Sequence, residues 1–206
     1  MIRNLKTLGL AFAVATMAAL LGATGASAAQ FHSEAEPTTV TGGSSTTYSF
    51  TFGAGQVNCV GTQLWGSMAT KTVESLTLTP TFESCDVTYT GVGTALATIW
   101  LNGCDFKASA GGTGGIECPA GAAIEFPSGS YCTVKFFPTA GASAVTYANS
   151  GKTIDVAFAL TGVSWSTTTS SPLGCKKESG TNGGLSGTSV LTGKNSGGTQ
   201  VKIWHE

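Results

Sequence analysis

The chain has 206 residues, 41% hydrophobic and only 10% charged, with four Trp, four Tyr and ten Phe. That balance excludes a globally disordered chain, which would be rich in charge and poor in aromatics. Beyond residue 28 it keeps eight Lys and no Arg against eleven acidic residues, a side-chain sum of −3. The basic footprint of a nucleic-acid binder or a polybasic membrane-surface protein is therefore missing.

Residues 1–28 read as a signal peptide. Arg3 and Lys6 supply the positive start, residues 8–21 the apolar stretch, and Ala26-Ser27-Ala28 the small-x-small cleavage site. The apolar stretch is long enough to be weighed as a membrane anchor, but its small residues and Ala-x-Ala end favour cleavage. No Cys follows the cleavage site, and no second apolar stretch occurs. The processed chain is expected to have no membrane span and to be secreted, extracellular or held at the cell envelope. About 175 to 180 residues would then remain, the size of one domain.

Residues 29–45 read as a flexible lead-in, with Glu34, Glu36 and Pro37 followed by Thr, Gly and Ser. A single domain is expected over 46–206. Tyr48, Phe50 and Phe52 alternate with Ser49 and Thr51, the period of a half-buried strand. Leu76 and Leu78 alternate with Ser75, Thr77 and Thr79. The mostly apolar run 94–101 predicts a central strand with Trp100 in the core. Cys132, Val134 and Phe136 share one face. Ile154, Val156, Phe158 and Leu160 share another, and Val201 and Ile203 close the chain. Turn signals separate these runs at 53–55, 102–103, 111–115, 127–129, 149–151 and 182–184. Residues 166–200 are Gly-, Ser- and Thr-rich and read as a long loop tethered by Cys175, then a hairpin through 185–191. No later window has helical periodicity. The fold class is all-β, a disulfide-stapled β-sandwich with an open β-barrel as the alternative.

Export decides how the cysteines are read. Cys59, Cys85, Cys104, Cys118, Cys132 and Cys175 are even in number, which in an exported chain implies disulfides. Six cysteines allow fifteen pairings, and sequence alone does not choose among them; nearness along the chain suggests Cys59–Cys85 and Cys104–Cys118, and leaves Cys132–Cys175. Zinc is disfavoured, because no Cys-x-x-Cys or Cys/His pair occurs.

The order Leu-Thr-Pro-Thr-Phe-Glu-Ser-Cys (78–85), Asn-Gly-Cys (102–104), Cys-Pro-Ala-Gly (118–121), Cys-Thr-Val (132–134) and Val-Thr-Tyr-Ala-Asn-Ser-Gly (145–151) resembles a group of secreted bacterial proteins of unknown function. The resemblance implies export and a Cys-spaced, β-rich body. It carries no activity and no site residues.

Chemical motifs are sparse. His32 and His205 are the two histidines, near opposite ends of the processed chain, and Gly184-Leu185-Ser186-Gly187 falls short of a nucleophile elbow. Glu117 and Glu125 are the acids placed to face each other across a hairpin, as a glycosidase pair would. Glu83, Asp86 and Asp105 lack the density of a calcium loop. The Gly-rich run 111–115 has no Lys and no following helix, so it reads as a hairpin tip rather than a phosphate loop. No catalytic set, cofactor or metal site is expected. Trp65 and Trp165 are the candidate ligand-binding residues, because an exposed indole on a β face stacks on sugar rings while polar neighbours bond the hydroxyls. Trp204, beside Ile203, is expected to point outward. The expectation is a secreted, non-enzymatic binding or envelope-associated module for glycan or cell wall. A self-assembling structural surface protein is the alternative, and an acid-based hydrolase the third reading.

Overall fold

The computed structural model describes residues 28–206 apart from 54, 91–92, 130–131 and 170–174. All but Ala28 of the expected leader lies outside them. The described residues form strands and turns, with no helix. In chain order the strands are β1 (Phe31–Ser33), β2 (Thr38–Ser44), β3 (Tyr48–Phe52), β4 (Gly55–Val60), β5 (Gln63–Met68) and β6 (Thr72–Val73). There follow β7 (Ser75–Thr81), β8 (Ser84–Tyr89), β9 (Gly93–Ala97), β10 (Asp105–Ser109), β11 (Thr113–Glu117) and β12 (Ile124–Ser128). The last six are β13 (Cys132–Phe136), β14 (Thr139–Ser150), β15 (Thr153–Thr168), β16 (Ser179–Lys194), β17 (Gln200–Val201) and β18 (Ile203–His205).

Eight strands close on themselves. The antiparallel order β15-β14-β11-β10-β7-β5-β2-β16 returns to β15 through the β15–β16 pairing. The barrel alternative therefore describes this part of the chain, and the barrel is closed rather than open. The other strands extend it. β13 and β12 continue from the far half of β15, and β3, β4, β8 and β9 from the far half of β16. The two extensions meet where Trp100 and Glu125 exchange backbone hydrogen bonds of 2.9 Å and Thr98 N–H donates to the Pro127 carbonyl at 3.0 Å.

The long hairpin of β15 and β16 organises both halves. On β15 the buried set runs Ile154, Val156, Phe158 and Leu160, then changes parity to Val163 and Trp165. The change falls where the pairing register shifts, beside Gly162 at φ +71°. A bulge of this kind keeps the same face inward while the residue count slips by one. The core is therefore continuous along the hairpin. Tyr48 and Phe50 on β3 bridge its two halves. Tyr48 stacks on Phe106 at 6.1 Å, and Phe50 lies 4.9 Å from Phe126 and 5.2 Å from Phe136. Each fully buried Phe contributes about 1.5–3 kcal/mol.

The two disulfides suggested by nearness, Cys59–Cys85 and Cys104–Cys118, are formed, and so is the remaining pair, Cys132–Cys175. Cys59 and Cys85 are directly opposite in the β4–β8 ladder. Cys104 and Cys118 stand one step outside the Asp105–Glu117 pair of the β10–β11 hairpin. Cys132 ties the start of β13 to the segment after β15.

The sequence reading is corrected in three segments. The lead-in 29–45 contains β1 and β2, with Phe31, Thr38 and Val40 fully buried and β2 wedged between β5 and β16. Its polar composition hid the alternation because Thr38 takes an inward position, its hydroxyl bonded to Ser33 Oγ at 2.6 Å and to the Ala35 carbonyl at 2.8 Å. The segment read as a loop and hairpin at 166–200 holds β16, one continuous strand in which the Asn182-Gly183-Gly184 turn signal is strand. Its inward glycines make room for large side chains on the neighbouring walls: a Cβ on Gly187 would stand 2.6 Å from the Tyr48 ring. The run 94–101 holds the edge strand β9, not a central one. Ala97, Ile99 and Leu101 pack on the core, which turns Leu96 and Trp100 outward.

Candidate binding face

Period-two geometry places the four tryptophans. Leu64 is fully buried on β5, so its neighbour Trp65 faces outward and is 52% exposed. Its ring sits among hydroxyl and amide side chains. Thr41 and Thr79 flank it on the adjacent strands, and Gln63 and Ser67 stand two residues away along β5. Thr79 Oγ1 donates to Asp105 Oδ1 at 2.6 Å, and the Thr41 and Thr192 hydroxyls lie 3.0 Å apart. These bonds hold the polar groups in place. With strands about 4.8 Å apart, they are within reach of a ring-sized ligand seated on the indole.

Trp165 is not available for that role. It is 4% exposed, its ring 5.6 Å from that of Phe52, and its Nε1–H donates to Asn182 Oδ1 at 3.0 Å. Its flanking serines were the signal: on a strand, the residue between two outward serines points inward. By the same rule Trp100, between Ile99 and Leu101, points outward and is 53% exposed rather than core. Trp204 is half-buried, held between the His32 ring at 5.1 Å and the Lys202 ammonium at 5.1 Å.

The residues weighed for catalysis are dispersed or already engaged. Glu117 accepts from Lys107 at 2.7 Å, and Glu125, on β12, accepts from Lys135 opposite it on β13 at 2.7 Å. The ladder instead sets Glu117 opposite Asp105, a juxtaposition that follows from the β10–β11 register. The histidines meet in the small sheet β18-β1-β6. His32 stacks on Trp204 with Nε2 3.3 Å from the Glu206 carboxylate, and His205 Nε2 lies 2.8 Å from the Ala110 carbonyl. Among the described residues, no group of three or more His, Cys, Asp or Glu is placed to hold a metal ion. A groove of about 770 Å³ runs beside Lys107, Gly115, Glu117 and Thr139.

Displaced titrations belong to the core, not to this face. Burial pushes the Tyr48 phenol up to about 12, partly offset by its 2.8 Å hydrogen bond with Ser189. Burial also pushes Tyr89 up to about 12 and raises Tyr147. The folded chain thus holds these protons above the unfolded value of about 10. Their contribution to stability is fully present below pH 10 and is lost as pH rises through about 12. Unfolding midpoints in urea should therefore fall steeply across that window, while tyrosinate absorbance rises over the same range. Tyrosines that ionise near pH 10 with no loss of stability would contradict it.

Fold and face together define an all-β, three-disulfide protein built on a closed eight-stranded antiparallel barrel, with one exposed indole on a hydroxyl-lined wall. No protein-family model, curated protein or solved structure matches the chain. Among the described residues no helix is long and apolar enough to cross a membrane.

Proposed function

We propose that this chain is an exported, non-enzymatic binding module that takes a neutral extracellular or cell-wall glycan on the Trp65 face. Residues 1–28 would act as the export signal, and three formed disulfides suit an oxidising compartment. The observation that carries the reading is the exposure of Trp65 among Thr41, Thr79, Gln63 and Ser67. An indole offers a flat apolar surface for sugar C–H groups, and the surrounding hydroxyls and amide serve the sugar hydroxyls. Uncharged side chains flank the indole, and the charges at the border, Asp105, Lys107 and Glu117, are of both signs, with Lys107 bonded to Glu117, which suits a neutral ligand.

The test is depletion of the oxidised protein from solution by insoluble polysaccharides and bacterial cell walls. Saturable binding is expected. Trp65→Ala should weaken it about thirtyfold, the loss expected of a central aromatic anchor, without moving the thermal midpoint. Failure of every matrix to deplete the protein would overturn the reading, as would unchanged binding by Trp65→Ala.

A further inference from the structure

One row of outward side chains crosses the barrel wall through Trp65. Thr192, Thr41, Trp65 and Thr79 stand on the neighbouring strands β16, β2, β5 and β7, each directly opposite the next. Thr79 then donates to Asp105 on β10 at 2.6 Å, and Asp105 faces Glu117 on β11. The two sides of the indole differ in what they leave free. Toward β16 the Thr41 and Thr192 hydroxyls lie 3.0 Å apart, and the Thr192 hydroxyl also donates to the Thr41 carbonyl at 3.2 Å, so this side is engaged with itself. Toward β10 stands a carboxylate with unused capacity. It is half-buried, held through one oxygen by Thr79, and ion-paired to no lysine among the described residues. A carboxylate offers about four acceptor sites, and Thr79 takes one.

Asp105 also works against the fold. Like charges directly opposite on paired strands destabilise, and Asp105 and Glu117 are such a pair. Lys107 relieves it on one side only, its ammonium bonded to Glu117 at 2.7 Å. A local rule broken beside an exposed aromatic points to a role in binding.

We infer that the Trp65 face takes an oligosaccharide rather than a single sugar, laid across the strands from Trp65 toward β10, with Asp105 accepting hydroxyl groups of the second sugar. The inference rests on the Trp65 reading and adds length, direction and a second contact to it. Trp65 and Asp105 are two strand spacings apart, about 10 Å, a span that suits a second sugar linked to the one on the indole. A sugar hydroxyl donating to a carboxylate makes a charge-assisted bond, about twice as strong as a neutral one. Thr79 fixes the carboxylate before the ligand arrives, so little freedom is lost on binding. A sugar acid would meet Asp105 and Glu117 as like charges, so the occupant is a neutral chain with free hydroxyls.

Titration calorimetry tests it, with neutral oligosaccharides of increasing length released from the polysaccharides and cell walls of the depletion assay. Affinity is expected to rise about tenfold from one sugar to two or three, then to level off. Asp105→Asn keeps the shape and an acceptor for Thr79. It should remove about that tenfold for the longer chains and leave the single sugar unchanged, whereas Trp65→Ala lowers both. The thermal midpoint of Asp105→Asn should hold or rise, because the like-charge pair has gone. Full affinity from a single sugar would overturn the inference, as would unaltered long-chain affinity in Asp105→Asn, or an equal loss at every length with a lowered midpoint. Each of these, with Trp65→Ala still weakened, leaves the Trp65 reading standing. A protein that binds no chain of any length overturns both.

Discussion

Reduction of the three disulfides is expected to unfold the chain at ambient temperature. The closed loops, with sequence separations of 26, 14 and 43 residues, follow one another along the chain and are not nested. Each therefore restricts a different stretch of the unfolded state. In the chain-entropy picture the bridges contribute about 3.5, 3 and 4 kcal/mol, together on the order of 10 kcal/mol. That is comparable to the whole stability of a typical domain, 5–15 kcal/mol. Cys59 and Cys85 are also buried, so reduction leaves thiols in a core shaped for a bridge. Thermal unfolding followed by near-ultraviolet circular dichroism, with and without reductant, reads the effect. Pairwise Cys→Ala variants should rank Cys132/Cys175 as the most costly and Cys104/Cys118 as the least. Equal shifts for all three would mean that native-state packing, not loop length, sets the contribution.

The second large effect is expected from one methyl group. Gly187 lies on β16 beneath the Tyr48 ring, and a Cβ there would stand 2.6 Å from the ring's Cγ and Cδ2 and 2.7 Å from its Cδ1. The near end of the side chain is in the way, so rotation does not relieve the clash. Retreat is blocked by Phe106 stacked at 6.1 Å and Phe158 at 6.5 Å, and the phenol is bonded to Ser189 at 2.8 Å. Gly187→Ala should destabilise by about 3 kcal/mol, the upper end for overpacking. The cause is separable by a double-mutant cycle in urea. Added to Tyr48→Ala, the same substitution should cost less than about 1 kcal/mol, because the obstacle has gone. A wild-type midpoint for Gly187→Ala, or full additivity, would show that the ring is free to move.

Gly187 also explains why its strand was illegible. Sequence reasoning takes Gly, Ser and Thr as loop formers, since they lower strand propensity and favour turns. In β16 they are chosen for size. The Tyr48 ring fills the space that a side chain at 187 would occupy, so the residue that determines the glycine lies 139 positions away in sequence. The same blindness applies to β2, where a buried threonine bonded to Ser33 looks like a polar loop residue until its partner is known.

The Trp residues show the opposite case, in which local information sufficed but pointed against the first readings of Trp100 and Trp165. Strand alternation turns Trp65 and Trp100 out and Trp165 in, from neighbours visible in the sequence: Leu64, then Ile99 and Leu101, then Ser164 and Ser166. Judging Trp100 by the apolarity of its whole run, rather than by parity, put it in the core.

By itself the sequence determined the all-β class and that the even set of six cysteines should form disulfides, while fifteen pairings stayed open. Alternation is a local property, and nearness pointed to Cys59–Cys85 and Cys104–Cys118, with Cys132–Cys175 as the remainder; the structure decided the pairing. Tertiary structure alone decided that the strands close into a barrel, that a Gly-rich segment becomes one of its two longest staves, and that β9 stands last in its extension. Those outcomes depend on pairings between distant segments, such as β2 with β16, whose hydrogen bonds are made by backbone groups common to every residue. Side-chain identity enters only through which faces must be buried, and many strand orders satisfy that condition until all the walls are packed together.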